Sequence, residues 1–307
     1  MRRQGHAAAS ALGAVVLALL APAGMLLAWL PARLGLWIGR RLGDLAWAAL
    51  PGRRTLTVDN LQRAFGGAHD AAELHRLGRR SFEHLGMNLV EGCVFFFRPP
   101  AVMLSRVTLE GVEHLEAAAA SGRGILLLTA HLGNWELLAA SHALSGFALS
   151  VVVRPLDNPA LDRVVARFRR RCGVELIAKR RALREVLDAL RRRRMVGILL
   201  DQNAARSEGI FVPFFGVPAS TSKALAVVAL RARAPVTPVF ICRDANGRHT
   251  VRVEPALPPP VGGDVTAYTA AFNRAIETAI RRAPEQWFWM HARWRTRPRA
   301  DADAVAG

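Results

Sequence analysis

Residues 7–30 form an apolar run without one charged side chain. Its twenty-four residues, at helical rise, reach roughly 36 Å, enough to cross a hydrocarbon layer of about 30 Å with some tilt. Pro22 is a kink position, and Arg2 and Arg3 ahead of the run favour a cytoplasmic N-terminus. A cleaved signal peptide is the rival reading, with Ala21-Pro22-Ala23 as the cleavage site, although Met25, Leu26, Leu27 and Trp29 carry the apolar run past it. Leu34, Ile38, Leu42, Leu45 and Ala49 then recur at helical spacing, with Arg33, Arg40 and Arg41 off that stripe and Trp37 and Trp47 as aromatic anchors. Such a helix lies in a membrane interface or packs on the domain surface. Helical periodicity returns from Ala71 to Phe97, where Pro99 and Pro100 stop it.

After Val107 the pattern changes to short β-rich runs alternating with helical stretches. Strands are predicted over 124–129, 148–153, 174–177, 196–200, 236–242 and 250–253, with helices over 135–144, 159–171, 181–193 and 222–233. Continuous apolar strands alternating with helices predict an α/β fold with a mainly parallel central sheet flanked by helices. A hairpin through Asn246-Gly247 is expected to end the sheet. A proline-rich linker and a last amphipathic helix over 265–282 follow. The chain therefore divides into a transmembrane anchor (1–30), an interfacial and helical region (31–106) and an α/β catalytic core (107–307).

Composition adds one constraint. Forty-two basic against 24 acidic residues give a net charge of +18, almost all of it from arginine, since Lys179 and Lys223 are the only lysines. Such a chain favours anionic partners: nucleic acid, an acidic lipid surface or an acidic carrier. Heavy arginine and alanine use is also what a GC-rich genome produces. Cys93, Cys172 and Cys242 are scattered and odd in number, with no C-x-x-C, which argues against a disulfide framework or zinc site and for a reducing compartment.

Chemistry concentrates in "GILLLTAHLGNWELLAA", residues 124–140. Ligands of α/β sheets bind beyond the carboxyl ends of the strands, where His131 stands. Gly133 permits a tight turn, Asn134 is a good N-cap, and Glu136 falls in the first turn of the next helix. A carboxylate folded back onto one imidazole nitrogen fixes the tautomer and leaves the other nitrogen free to take a proton. No serine or cysteine stands where a protein nucleophile is needed, so the nucleophile is expected to be a substrate hydroxyl. The Gly133 and Asn134 N–H groups are candidate donors to a developing oxyanion. H-E-x-x-H is absent and no metal is expected.

"HLGNWELLA" resembles the His-x4-Glu signature of the bacterial lipid A biosynthesis (late) acyltransferases, the lauroyl and myristoyl transferases of the lysophospholipid acyltransferase-like group. "TLTVDNLQRAFG" (55–66), "VVVRPLDNPALDRVV" (151–165), "DQNAARSEGIFVPFFGVPASTSKALAVVAL" (201–230) and "RRAPEQWFWMHARWRTRP" (281–298) are similar to the family's other blocks, in the same order. Ala130 departs from the asparagine that many members carry before the histidine.

The resemblance implies acyl transfer from an acyl thioester, acyl carrier protein or coenzyme A, to a hydroxyl of an anionic glycolipid at the cytoplasmic face of the inner membrane. His131 is then the general base and Glu136 its orienting partner. Asp201 and Gln202 match the family's Asp-Gln pair, and the family's arginine maps onto Arg167, Arg169 or Arg170, with Arg169 preferred. Arg154, at a strand end, is a further candidate for phosphate. Phe211, Phe214 and Phe215 line an acyl slot or pack as core, and "WFWMHARWR" (287–295) reads as an interfacial or lipid-phosphate surface. The expected partners are acyl carrier protein, an anionic glycolipid or phospholipid and the membrane, without a cofactor and without nucleic acid. Alternative acceptors are a lysophospholipid, a phosphatidylinositol mannoside or an aminolipid. A basic, membrane-tethered binding protein is the reading from another class.

Overall fold

The computed structural model describes residues 21–146, 148–155, 158–179 and 182–298. Residues 7–20 of the expected membrane span lie outside these, and 21–29 are helical. Among the described residues no helix is long and apolar enough to cross a membrane, while the α/β part of the expectation has its counterpart in a mostly parallel seven-stranded sheet.

After the helical residues 21–29 come α1 (Ala32–Ala49), α2 (Pro51–Phe65) and α3 (Ala71–Phe97). Asp70 starts α3 with a reciprocal capping box, its carboxylate accepting from the Glu73 N–H while Glu73 accepts from that of Asp70. The face α1 buries is not its leucine stripe. Gly35, Gly39 and Gly43, spaced four apart, are its buried residues, and they lie against Glu83, Gly86, Met87 and Val90 of α3. A Cβ on Gly39 would stand 2.6 Å from the Met87 Cα, so the two backbones touch. Leu34, Trp37 and Leu45 are left exposed on the opposite side.

A short helix, α4 (Ala101–Leu104), leads into the α/β region. Its elements are β1 (Val107–Glu110), α5 (Val112–Ala119), β2 (Ile125–Thr129), α6 (Trp135–Ser145), β3 (Leu149–Val153), α7 (Pro159–Arg171), β4 (Glu175–Ala178), α8 (Ala182–Arg191) and β5 (Met195–Leu199). A two-stranded ribbon follows, β6 (Gly209–Phe214) with β7 (Val217–Ser222), then α9 (Ala224–Ala232), β8 (Val236–Arg243), β9 (His249–Val253) and α10 (Val265–Arg282).

Seven strands pair in the order β1-β9-β8-β2-β5-β3-β4, parallel except for β8 against β9. The Asn246-Gly247 hairpin forms but does not end the sheet, because β1 pairs with β9 beyond it. Four residues of alternating exposure make β1 too short and too polar to stand out along the chain. The β6–β7 ribbon also lacks an expectation, since Pro213 and Pro218 punctuate it. Central β2 is covered on both faces, with Leu126 and Leu128 fully buried. Each such side chain contributes about 1.5–3 kcal/mol of burial, which the order of the sheet turns into a fixed position for the strand ends.

Candidate active site

The sheet register builds the site. β2 and β5 run parallel as neighbours, with Thr129 paired to Leu199. Two residues past each partner stand His131 and Asp201, so two parallel strands deliver an imidazole and a carboxylate to the same level. His131 Nδ1 lies 2.8 Å from Asp201 Oδ1, and the His131 backbone N–H donates to Oδ2 at 2.9 Å. The Trp287 indole N–H donates to the same Oδ2 at 2.7 Å. The Asp201 side chain is 2% exposed and that of His131 20%, so the base of the pair is dry while the ring reaches the surface.

Burial pushes the Asp201 carboxyl up, but the His131 charge and hydrogen bonds, with Trp287, outweigh it and hold it below the ordinary carboxylate value. An ionised carboxylate only accepts, so Nδ1 must carry the proton, and whenever the ring is neutral the lone pair is on Nε2. The Gln202 amide nitrogen lies 3.3 Å from that Nε2. Trp135 meets the His131 ring edge-on at 5.2 Å, and Phe288 stands at 6.3 Å.

The orienting role expected of Glu136 falls instead to Asp201. No hydrogen bond joins Glu136 to His131; its carboxylate accepts from Arg169 Nε at 2.9 Å and from Nη2 at 2.6 Å. The first turn of α6 directs Glu136 towards α7, where Arg169 points inward and Arg167 and Arg170 are exposed. Among the three candidate arginines only Arg169 therefore belongs to this neighbourhood.

Gly133 is not an oxyanion donor of the kind expected. The Gly133 N–H is consumed by the Gln286 carbonyl at 3.0 Å, and a Cβ on Gly133, at φ +59°, would strike the Ile241 carbonyl. Asn134 caps α6 by accepting from the Leu137 N–H, and its amide donates to buried Glu91 at 2.7 Å. Both residues hold the turn and are buried beneath it. Arg154 lies exposed just after β3, outside the contacts of the pair.

Under the turn runs a buried polar network. Arg243 donates to both Glu91 oxygens, at 3.0 and 2.7 Å, and His249 Nε2 stands 2.9 Å from Glu91. Asn88 closes it by donating to the Gly133 carbonyl at 2.7 Å while accepting from Arg243. Helix α3 is thereby tied to the catalytic turn.

The C-terminal aromatic block is a scaffold and not a surface. Trp287, Trp289 and Arg293 are essentially inaccessible, because residues 286–288 pair with 131–133 and Arg293 donates to Ser220 and Thr221. Phe214 and Phe215 pack in that same core.

An apolar cavity opens beside the pair, with about 670 Å³ of unfilled space including its mouth. It lies between one face of the sheet and helices α5 and α6, and Trp135 lines it while also touching His131. Leu127 and Thr129 line it from β2, whose last residue, Thr129, stands two positions before His131. Sequence reading missed this cavity, since its walls come from six strands and two helices.

At the strand ends, then, a part-exposed histidine on a buried carboxylate stands near an apolar cleft, in an α/β fold. The chain matches the bacterial lipid A biosynthesis acyltransferases over residues 4–296 and belongs to that family; it is an acyltransferase. It is 29% identical over 281 residues to the lipid A biosynthesis palmitoleoyltransferase of Escherichia coli (strain K12), covering 90% of each chain. It is likewise 29% identical to the lauroyltransferase of that organism, over 85% of each chain. A phosphatidylinositol mannoside acyltransferase of Mycobacterium tuberculosis (strain ATCC 25618 / H37Rv) is 27% identical over 201 residues, 64% of this chain and 62% of the relative.

Proposed function

We propose that this enzyme transfers a fatty acyl group from a carrier-bound thioester to a hydroxyl of a lipid A-type glycolipid, at the cytoplasmic face of the inner membrane. The observation that carries the reading is the His131–Asp201 pair, with Trp135 both against the His131 ring and in the wall of the apolar cavity. The acyl chain lies in the cavity with its thioester carbonyl near Thr129 and Trp135. The acceptor hydroxyl displaces the Gln202 amide at Nε2 and gives up its proton there as its oxygen attacks the carbonyl carbon. Asp201 stabilises the imidazolium that forms. The carbon–sulfur bond then breaks, and the departing thiolate takes the proton from Nε2. No cofactor enters this scheme. Glu136 and Arg169 clamp the start of α6 to α7 and so hold Trp135 against the base.

The membrane assignment rests on one surface. Leu26, Trp29, Trp37 and Leu45 are each more than half exposed, and Arg98 stacks over Trp29 at 4.8 Å. Apolar rings interleaved with arginines suit an anionic bilayer surface, and the uncharged sequence of residues 7–30 is long and apolar enough to serve as a single-pass anchor. Exposed Arg167, Arg170 and Arg171 on α7 suit an acidic acyl carrier protein as donor.

Mass spectrometry of membrane lipids from cells lacking the protein, then supplied with wild type or His131→Ala, tests the reading. One secondary acyl chain on lipid A should vanish and return only with wild type. A change in a phosphoinositol-linked or other glycolipid instead moves the acceptor and keeps the pair; equal rescue by His131→Ala sinks the mechanism.

A further inference from the structure

Gly197 stands at the centre of β5, in the interior of a seven-stranded sheet, where glycine weakens a strand and fills nothing. The backbone does not require it: Gly197 is absent from the positive-φ positions, unlike Gly133. Close packing does not require it either. The nearest atoms to a Cβ built there are Val151 Cγ2 at 3.6 Å, Leu149 Cδ1 at 3.8 Å and the Ser150 carbonyl at 3.9 Å, all ordinary contacts. What the missing side chain leaves is space in the apolar cavity, which Gly197 lines.

Its position along the cavity follows from register. Thr129 and Leu199 stand at the level nearest His131, Leu127 and Val151 flank Gly197 one level down, and Met195 and Leu149 lie below that. Each level is two residues, roughly 6.6 Å, deeper than the last. Thr129 adds an independent sign of an occupant: it lines the cavity at the level nearest the base, and its buried hydroxyl has no hydrogen-bond partner.

We propose that Gly197 determines the length of the acyl chain this enzyme accepts, by leaving open the passage between Leu127 and Val151 to the Met195–Leu149 floor. The proposal rests on the acyl-transfer reading above. Any side chain at 197 projects into that passage and closes the lower cavity to the end of a long chain, while a short chain stops above it.

The experiment compares wild type with Gly197→Ala and Gly197→Val, given decanoyl, lauroyl, myristoyl and palmitoyl thioesters in competition. Melting temperatures confirm that each variant folds, and Gly197→Ala, with only ordinary contacts, keeps the test open should valine disrupt the sheet. The long-to-short ratio of kcat/KM should fall by about tenfold or more for valine and by less for alanine, since each displaced methylene is worth roughly tenfold or more. Folded variants with an unchanged ratio, or with all lengths slowed in proportion, overturn the proposal. Displacement of fluorescent parinaric acid by free fatty acids of the same lengths supplies a reading that needs no turnover. If wild type transfers no acyl group yet long acids lose affinity selectively in the variants, the function reading falls and the chain-length role of Gly197 stands.

Discussion

Asp201 accepts three hydrogen bonds with two oxygens, and their division predicts what an isosteric change does. Oδ2 takes both the His131 backbone N–H and the Trp287 indole, while Oδ1 takes the imidazole. In Asp201→Asn the amide carbonyl keeps the two-donor side, which turns the NH₂ towards Nδ1. That forces Nδ1 to accept and leaves the proton on Nε2, the wrong tautomer for a base. The folded variant should lose about 10²- to 10⁴-fold in kcat, with little change in melting temperature. Steady-state kinetics beside a thermal melt checks this, and near-normal turnover removes Asp201 from the mechanism. At this scale the sequence made His131, Asp201 and Arg169 legible, but not their pairing. His-x4-Glu places two side chains near each other along the chain, yet which carboxylate meets the ring is set by a strand seventy residues away. Gly133 and Asn134 stood out for a sound reason, turn geometry, and that is the work they do.

Among the elements, the packing of α1 on α3 rests on glycine. The leucine stripe suggested an apolar face turned inward or into lipid, whereas contact runs through Gly35, Gly39 and Gly43 and leaves part of that stripe outside. Gly39→Ala and Gly52→Ala make the same chemical change in opposite surroundings. At Gly39 the new carbon meets backbone at 2.6 Å, so the helices must part; at Gly52 nothing lies within 4 Å. Gly39→Ala should cost about 1–3 kcal/mol, while Gly52→Ala should be neutral or stabilise by up to about 1 kcal/mol. Denaturation of the detergent-solubilised protein compares them, and equal melting temperatures contradict the packing. Strand and helix periodicities were readable because each faces a single buried layer. Short, polar β1 and the proline-marked ribbon escaped because long-range pairing, not local pattern, holds them in place.

At the scale of the whole molecule, two part-buried histidines, His84 and His291, sit in a strongly basic chain. Burial pulls His291 down to about 4, with Asp201 opposing and His131, Arg293 and Arg295 adding to the effect. Burial likewise brings His84 to about 3, helped by Arg243 and Arg40 against Glu91. His291 accepts the Asn203 N–H, and His84 stands 3.0 Å from an Arg243 nitrogen, so both rings serve the fold as neutral acceptors. The unfolded chain protonates these rings near pH 6.5 and the folded chain does so only below about 4. Between those values the unfolded state binds more protons, so stability is full above about pH 6.5 and falls as pH drops through that window. Melting temperatures should decline from about pH 7 to about pH 5, and His84→Gln should flatten part of that slope. A flat profile in wild type excludes buried neutral histidines as acid-sensitive points.

By itself the sequence determined the α/β alternation, the positions of most strands and helices, the location of chemistry at the end of β2, and the family. Those are properties of near neighbours along the chain: periodicity of burial, capping residues, and motifs short enough to be contiguous. Only the tertiary structure decided that Asp201 and not Glu136 is bonded to the His131 ring, that the C-terminal tryptophans are scaffold, and that Trp135 and Gly197 line one apolar cavity. The physical reason is the same in each case. Sheet order and register bring together residues far apart in the chain, and a strand's sequence records that it will be buried without recording which strand it will lie beside.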